Sequence, residues 1–439
     1  MRTPLTFGLG LIVIAPLLLP DVASAQVLDT YLPPLGAGLG TIETEPAQVQ
    51  ALERYAPLGV VYGPVRIDAT AAESFGYDNN VDRLLNGKGS PVIMSSGDLA
   101  AVAQWTNDQL HAEMNVADYR FPSQSIQNRT NWTATLGGVH NFGHDQLGFT
   151  YTHLSLVQTP MDLGAQLFSV PIQYEFDNAG LSYTLLTHGR FSFIPQAQIG
   201  FYDFGQPTNN GNLFTDQSYR NRVMVNEGVT ARYELTPERQ VLVVLQGTEI
   251  HYVNNMVAGL PSRDSSGLIA MTGLDFGLTG PFRARALVGY QTRLYHSGFY
   301  GTINSPIAEL ELGWNPTRLT MLSLAVRNGI EDGGYENVVG FTYTTAELTV
   351  RHYYNRNLVL TAHGGIQRAD YARTPEALDN TILRTIQSQQ LIFDAGAGAQ
   401  WLLNRHVSMT FNYNFTSQNS SDYAVVSDHN FMIGLSFAL

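Results

Sequence analysis

The sequence predicts an all-β protein: a transmembrane, antiparallel, up-and-down β-barrel of about eighteen strands with short periplasmic turns and longer extracellular loops. Three observations lead to this prediction. Bulky apolar residues alternate with small polar ones, the connections alternate in length, and only 14% of residues are charged, against roughly 25% in soluble domains. Because successive side chains of a strand point to opposite faces, such segments can turn one face to lipid and the other to a wet lumen.

The last two segments, 407–415 and 431–439, show the alternation most clearly. Phe411 and Tyr413 flank Asn412 in the first, and Phe431, Ile433 and Leu435 recur at every second position in the second. A soluble sandwich would turn these large residues toward a shared core, whereas a barrel turns them outward. We expect the final strand to close the barrel against the first.

The beginning of the chain has the layout of a cleaved secretory signal. Residues 1–25 contain one basic residue, Arg2, then an apolar run, 7–19, and small residues at 23–25. The following residues, 26–64, carry a short helical pattern and are predicted to form a periplasmic arm or plug, or alternatively a leader without fixed structure. No later window holds about 18 consecutive apolar residues, so spanning helices are not expected.

The barrel itself is predicted to occupy 65–439. Alternation slips within 174–186, 240–252 and 338–351, where a β-bulge or a misplaced loop would account for it. The predicted strands are 65–77, 92–105, 110–116, 128–140, 146–155, 174–186, 191–202, 219–234, 240–252, 265–278, 283–295, 305–314, 319–327, 338–351, 358–370, 386–402, 407–415 and 431–439.

The connections between these segments alternate between short and long, as in bacterial barrels with short periplasmic turns and long outer loops. Both chain ends are then expected on the periplasmic side. Acidic residues, among them Asp78, Asp82, Glu331 and Asp332, are placed by this scheme in outward-facing loops. The short connections are 106–108, 141–145, 187–190, 279–282, 315–318 and 403–406, and the long ones are 203–218, 253–263, 328–337, 370–385 and 417–427.

Three of the four tryptophans share one position in this scheme. Trp105, Trp314 and Trp401 each lie at the end of a descending strand, just before a short turn. Amphipathic rings are favoured at the level of the lipid headgroups, so these residues are predicted to form an aromatic girdle at one rim.

Charged residues within strands indicate which face is wet. Glu309 and Glu311 alternate with leucines, and Arg285 alternates with alanines. Because an arginine at the bilayer midplane costs about 2–4 kcal/mol, these charges are expected to point into the lumen. The same parity predicts a pore lining of mixed charge and many amides: Gln196, Gln198, Arg232, Asp275, Arg285, Gln291, Arg293, Glu309, Glu311, Arg327, Glu347, Arg351, His363, Gln367 and Asp394.

Motifs for chemistry are sparse. His111, His140 and His144 lack the spacing with other ligands that a metal site needs. No G-x-S-x-G element marks a serine hydrolase, although Ser, His and Asp could still converge from separate strands. We therefore expect no catalytic, cofactor-binding or metal-binding residues. A net charge of −13 also argues against nucleic acid as a partner.

Four short segments of the sequence resemble the same known family. The sequence at 55–59 before the first strand, the turn at 76–80, the stretch from 274 to 280 and the segment 314–317 resemble the putative β-barrel porin 2 family of outer-membrane proteins. The resemblance covers 55–439 and implies an outer-membrane barrel, often associated with exopolysaccharide machinery. One departure is the final residue, Leu439, where the assembly signal of such barrels usually has Phe or Trp.

Three functions remain open at this point. The first is a porin-like channel in a Gram-negative outer membrane, serving as a conduit for exopolysaccharide or other sugars. The second is a structural or docking barrel with a plugged lumen, and the third is an embedded hydrolase. The expected partners are outer-membrane lipid and lipopolysaccharide, the barrel-assembly machinery through the C-terminal strand, and a saccharide or polysaccharide.

Overall fold

The computed structural model describes residues 57–165, 170–187, 189–205, 217–254, 260–277, 281–335, 338–373, 388–420 and 423–439. The predicted signal peptide and most of the predicted arm or plug lie outside the described residues. The strands are β1 (Val60–Tyr62), β2 (Val65–Asp78), β3 (Ser90–Gln104), β4 (Asp108–Arg120), β5 (Arg129–Asn141), β6 (Gln146–Gln158), β7 (Ile172–Leu186), β8 (Phe191–Phe204), β9 (Arg222–Thr236), β10 (Arg239–Tyr252), β11 (Ser265–Phe276), β12 (Phe282–Tyr295), β13 (Ile303–Thr317), β14 (Thr320–Glu331), β15 (Val338–Tyr353), β16 (Leu358–Arg373), β17 (Gln389–Leu402), β18 (Val407–Ser420) and β19 (Tyr423–Ala438).

Strands β2 to β19 form one closed, antiparallel barrel in which each strand pairs with its neighbours in sequence. The ring is closed by β19 against β2, in a register that runs from Asn430 opposite Asp78 to Ala438 opposite Thr70. The predicted fold class, the count of eighteen strands and the closing seam are confirmed. Closure leaves no unpaired strand edge within the barrel, which is the condition for crossing a bilayer with strands.

Helical structure among the described residues includes two 3-10 turns, Ser125–Gln127 and Ser218–Arg220. In this part of the chain, no helix has the length and apolar character needed to cross a membrane.

The extra strand, β1, pairs with the beginning of β2. Gly63, with a φ of 57°, lies in the turn between them, a conformation that glycine adopts without steric cost. This strand lies within the segment predicted as an arm or plug.

Several strands extend beyond their predicted ends, on the side of the barrel that the sequence assigns to long loops. Within the predicted loop 417–427, β18 continues to Ser420 and β19 begins at Tyr423, and Gln418 pairs with Val426. Likewise, β14 continues to Glu331. The extensions were not predicted because their side chains are polar and the apolar alternation stops before the strand does. Strand pairing uses the backbone and does not require an apolar face. Register shifts occur at the starts of β10 and β15, where alternation slips, but the register of β7 is unbroken.

The two faces of the barrel differ as expected for a membrane span. Large apolar side chains such as Phe75, Val288 and Phe431 are exposed on one face, Val288 by 60%. Phe431 pairs with Tyr77 and Tyr413, which are exposed on the same face. Since Phe431 and Leu435 are exposed rather than packed in a dry interior, the sandwich alternative is excluded.

Candidate pore lining

The cross-strand register connects the predicted pore-lining residues into one face of the barrel. Arg285 pairs with Asp275 on one side and Glu311 on the other, and Thr345 pairs with both Arg327 and Gln367. The same register extends around the barrel and places all fifteen residues opposite the apolar face, and therefore inward. Their role in conduction stays a prediction.

A compact ion-pair network brings four of these residues together. The carboxylate of Glu311 accepts hydrogen bonds from Arg285 Nη2 at 2.5 Å and from Arg327 Nη2 at 2.6 Å. Arg285 Nε also lies 3.6 Å from Glu309 Oε1. Arg285 is fully buried and Glu311 nearly so. Because a buried charge is tolerated only when it is paired, each charge of the network depends on its partners.

Other predicted residues lie beside the network or elsewhere on the wall. Asp275 and Glu347 face the bore on the adjacent strands, where Asp275 interacts electrostatically with Arg285 and Glu347 with Arg327. Asp394 lies opposite Gly365, two strands beyond Glu347. Gln196 and Gln198 belong to β8, outside the network. Arg293 is also separate, because it lies near the opposite end of β12 from Arg285.

The wall on the other side of the bore carries many amides and hydroxyls, beside two inward carboxylates, Asp98 on β3 and Glu113 on β4. Cross-strand hydrogen bonds link Asn115 to Thr133 at 3.3 Å and Thr135 to Thr152 at 3.3 Å. On β18, Asn412 and Asn414 face inward and are half-buried. The amide- and hydroxyl-bearing positions among them, on β4 to β6 and β18, are called the neutral wall.

An inward glycine on β17, next to the neutral wall, lets neighbouring polar side chains lie flat against the wall. A Cβ at Gly396 would lie 2.2 Å from His363 Cε1 and 2.5 Å from Asn414 Oδ1, so these side chains lie across the glycine. Because the polar groups lie along the wall there, less of the bore is filled than if each position carried a projecting side chain.

Burial rises along the inward face toward the end that carries the longer connections, here called the long-loop end. Leu154, Phe176 and Tyr202 face inward there and form a buried apolar cluster with their neighbours. The expectation that the inward face is small and polar on strand after strand is therefore wrong at this end. The physical reason is that side chains of β6 to β8 pack against one another there, and that loops which fold into the bore also pack against apolar wall residues.

The connection after β6 is one such loop. Leu163 packs against Val338, Phe341 and Tyr371 in the wall of β15 and β16. Gly164 N donates to Gln390 Oε1 at 3.1 Å, and Gln390 Nε2 donates to Asp162 O at 3.3 Å. Since β6 and β17 are seven steps apart in the shorter direction around the eighteen-strand ring, this loop crosses the lumen.

The connection after β14 also folds inward. Asp332 forms ion pairs with Arg293 at 2.6 Å and Arg222 at 3.2 Å, and its side chain is 6% exposed. Arg263 Nη1 donates to Gly333 O at 3.2 Å. The placement of Asp332 in an outward-facing loop is therefore wrong. Alternation gives no information on loop direction, whereas the arginines on the wall determine it.

Aromatic rings surround this arginine cluster. The guanidinium of Arg222 lies 3.9 Å from the ring centroid of Tyr202, and that of Arg263 lies 4.7 Å from the centroid of Tyr252. Rings in this position attract a cation more strongly where water is excluded. Burial lowers the pKa of Arg220 to about 10, which leaves it charged near neutral pH.

The pKa of Asp332 reflects the same cluster. Burial alone would raise the pKa of Asp332, but the guanidiniums of Arg293, Arg222 and Arg263 outweigh burial and hold it well below its ordinary value. The carboxylate is therefore charged at any pH at which the barrel functions.

The sequence model of the family described as putative beta-barrel porin 2 matches residues 53–438. The chain belongs to this family. The resemblance drawn from the sequence is thus confirmed, and the porin is an outer-membrane β-barrel. None of the curated proteins searched matches the chain.

Solved structures similar to this porin have low sequence identity to it. They include opdK from Pseudomonas aeruginosa, with 11% identity, coverage of 85% of this chain and 98% of that one, and a TM-score of 0.43. The Pseudomonas aeruginosa protein OccK2 (OpdF), solved with glucuronate, has 9% identity, 85% and 98% coverage, and a TM-score of 0.45. A bacterial polysaccharide outer membrane secretin has 9% identity, the same coverages, and a TM-score of 0.35.

The predicted aromatic girdle falls at the short-turn end of the porin. Trp105 follows β3, while Trp314 and Trp401 lie near the ends of β13 and β17. Their exposures of 47%, 44% and 46% show that all three rings face outward. Contact with lipid headgroups stays a prediction.

Within the described part of the porin, no three His, Asp or Glu side chains come together as a metal site would need. His140 Nδ1 instead lies 2.5 Å from Asp108 Oδ1 on an exposed rim. Sequence reasoning missed the inward-folding loops altogether. The available signal was Arg220, Arg222 and Arg263 near strand ends, where a solvent-facing loop has no need of so many guanidiniums.

Proposed function

We propose that this porin is a passive conduit for neutral saccharides, including exopolysaccharide chains, with the long-loop end at the cell surface. The observation that carries the proposal is the neutral wall. Its amide and hydroxyl groups offer many weak hydrogen bonds, which can replace water around sugar hydroxyls without holding any one sugar tightly. The ion-pair network opposite is internally paired, so it supplies little net field to favour anions or cations.

Planar-bilayer recording of the purified full chain tests the channel itself. We expect discrete conductance steps, and a variant lacking 26–63 tests whether the predicted arm obstructs the bore. Absence of conductance in the full chain and in this variant would contradict the channel function. It would favour the alternative of a docking barrel with a plugged lumen.

Saccharide preference is tested separately, in liposomes that contain the porin. Neutral oligosaccharides should enter faster than acidic oligosaccharides of equal length. Equal rates would leave a general porin without the proposed preference, and faster entry of the acidic sugars would contradict it.

A further inference from the structure

The two loops that fold into the bore are joined to each other. Gly334 N, in the connection after β14, donates a hydrogen bond to Gly164 O, in the connection after β6, at 2.9 Å. We call the two segments, 159–165 and 332–335, the crossing loops. One is attached to the wall at Gln390 on β17, and the other at Arg222 on β9 and Arg293 on β12.

Together the crossing loops extend between nearly opposite parts of the wall. Strands β9 and β17 are eight steps apart in a ring of eighteen, close to the maximum of nine. A molecule that moves along the bore must therefore pass these loops. This follows from the strand order and the named contacts alone.

The attachments of the segment 332–335 are of three kinds: hydrogen bonds to its backbone, ion pairs of Asp332, and an aromatic contact between Tyr335 and Tyr371 of β16. Arg263 Nη1 donates to the carbonyl of Gly333, and Tyr219 Oη donates to the carbonyl of Gly334. These bonds use only the loop backbone. Within 332–335, Asp332 is the side chain that pairs with the wall by charge, and it does so with two guanidiniums at once.

We propose that the segment 332–335 is a gate across the long-loop end and that Asp332 is the latch that holds it closed. Removal of the carboxylate would destabilise the closed position of the gate in two ways. The ion pairs would be lost, and the buried guanidiniums of Arg222, Arg263 and Arg293 would be left without their shared counter-ion. Gly333 and Gly334, directly after the latch, supply the backbone freedom that a hinge needs.

The inference rests on the proposed channel for its biological meaning, but the latch can be measured without transport. Hydrogen–deuterium exchange of the full chain in lipid nanodiscs should show both crossing loops exchanging about tenfold faster or more in Asp332→Asn than in wild type. Both loops should respond because Gly334 is bonded to Gly164. Unchanged exchange in both would overturn the proposal.

Two variants serve as controls for charge. Glu249→Gln removes a carboxylate from the exposed outward face, where its side chain is 62% exposed, and should leave the exchange of both loops at the wild-type rate. Asp332→Glu keeps the carboxylate and should exchange more slowly than Asp332→Asn. If Glu249→Gln accelerated exchange equally, the effect would be one of net charge and the latch would be excluded.

Single-channel recording then links the latch to conduction. In a conducting porin, Asp332→Asn should raise the open probability severalfold, and Glu249→Gln should not. A conducting wild type with the same open probability as Asp332→Asn would overturn the gate. If no variant conducts while exchange still accelerates in Asp332→Asn, the latch stands and the channel function fails.

Discussion

Asp332 and Arg293 lie 2.6 Å apart across the inner wall, although 39 residues and two intervening strands separate them in the chain. The contact joins the connection after β14 to the long-loop end of β12. It therefore fixes the direction in which that connection folds, which is into the bore. A single charged pair thus converts a stretch that resembles an outer loop into part of the lumen.

The first prediction concerns pH. Because the folded-state pKa of Asp332 is depressed, its stabilising contribution is complete above the ordinary carboxyl pKa of about 4 and is lost only as pH falls through the lower folded value. The difference in unfolding midpoint between wild type and Asp332→Asn should therefore be constant from about pH 5 to pH 8. Thermal unfolding in detergent at several pH values measures it. A difference that disappears between pH 7 and pH 5 would show that another group controls the loop.

The second prediction concerns the ion-pair network. Glu311→Gln should lower the free energy of unfolding by about 3–5 kcal/mol, because it leaves the buried guanidiniums of Arg285 and Arg327 without their main counter-ion. Denaturant-induced unfolding from lipid vesicles gives this value. The matched control is Glu249→Gln, an exposed carboxylate for which we expect a change below about 1 kcal/mol. Equal effects of the two substitutions would contradict the network.

Much of the fold was available from the sequence for a simple physical reason. A closed barrel in lipid needs one apolar and one polar face on each strand. The apolar character of residues such as Phe431 and Val288 therefore predicts that they face outward. The lumen charges follow from the same rule, since Glu311 alternates with leucines. Strand ends were less accessible, because the pairing of Gln418 with Val426 needs no apolar side chain.

The crossing loops at the long-loop end of the bore could not be predicted in this way. Alternation describes strands, and the direction of a loop depends on contacts with distant residues, such as Gly164 with Gln390. Inward apolar residues were also hidden. Leu242 and Leu287 are buried against each other inside the barrel, yet in the sequence they resemble lipid-facing positions. The apolar run around Leu242 interrupts the alternation for this reason.

The third prediction separates the two faces of the barrel. Val288→Arg, at the middle of β12 on the exposed apolar face, should destabilise the folded porin in lipid by about 2–4 kcal/mol. Asn412→Arg, at the middle of β18 on the inward face, should cost less than about 1 kcal/mol because the charge stays hydrated in the bore. Unfolding from vesicles measures both. The reverse order of the two effects would mean that the faces are assigned wrongly.

The last prediction concerns the saccharide preference of the neutral wall. Asn412→Leu and Asn414→Leu replace inward amides by side chains of similar volume, so the width of the bore and its ion conductance should change little. Each substitution should slow the entry of neutral oligosaccharides about fivefold, because a hydrogen bond of about 1 kcal/mol to the sugar hydroxyls is lost. Liposome uptake and single-channel conductance, both measured in the Asp332→Asn background, give the two quantities. Asn304→Leu makes the same chemical change on the exposed outward face of β13 and should alter neither. Sugar entry that follows ion conductance in all three variants would show that the wall acts only through its size.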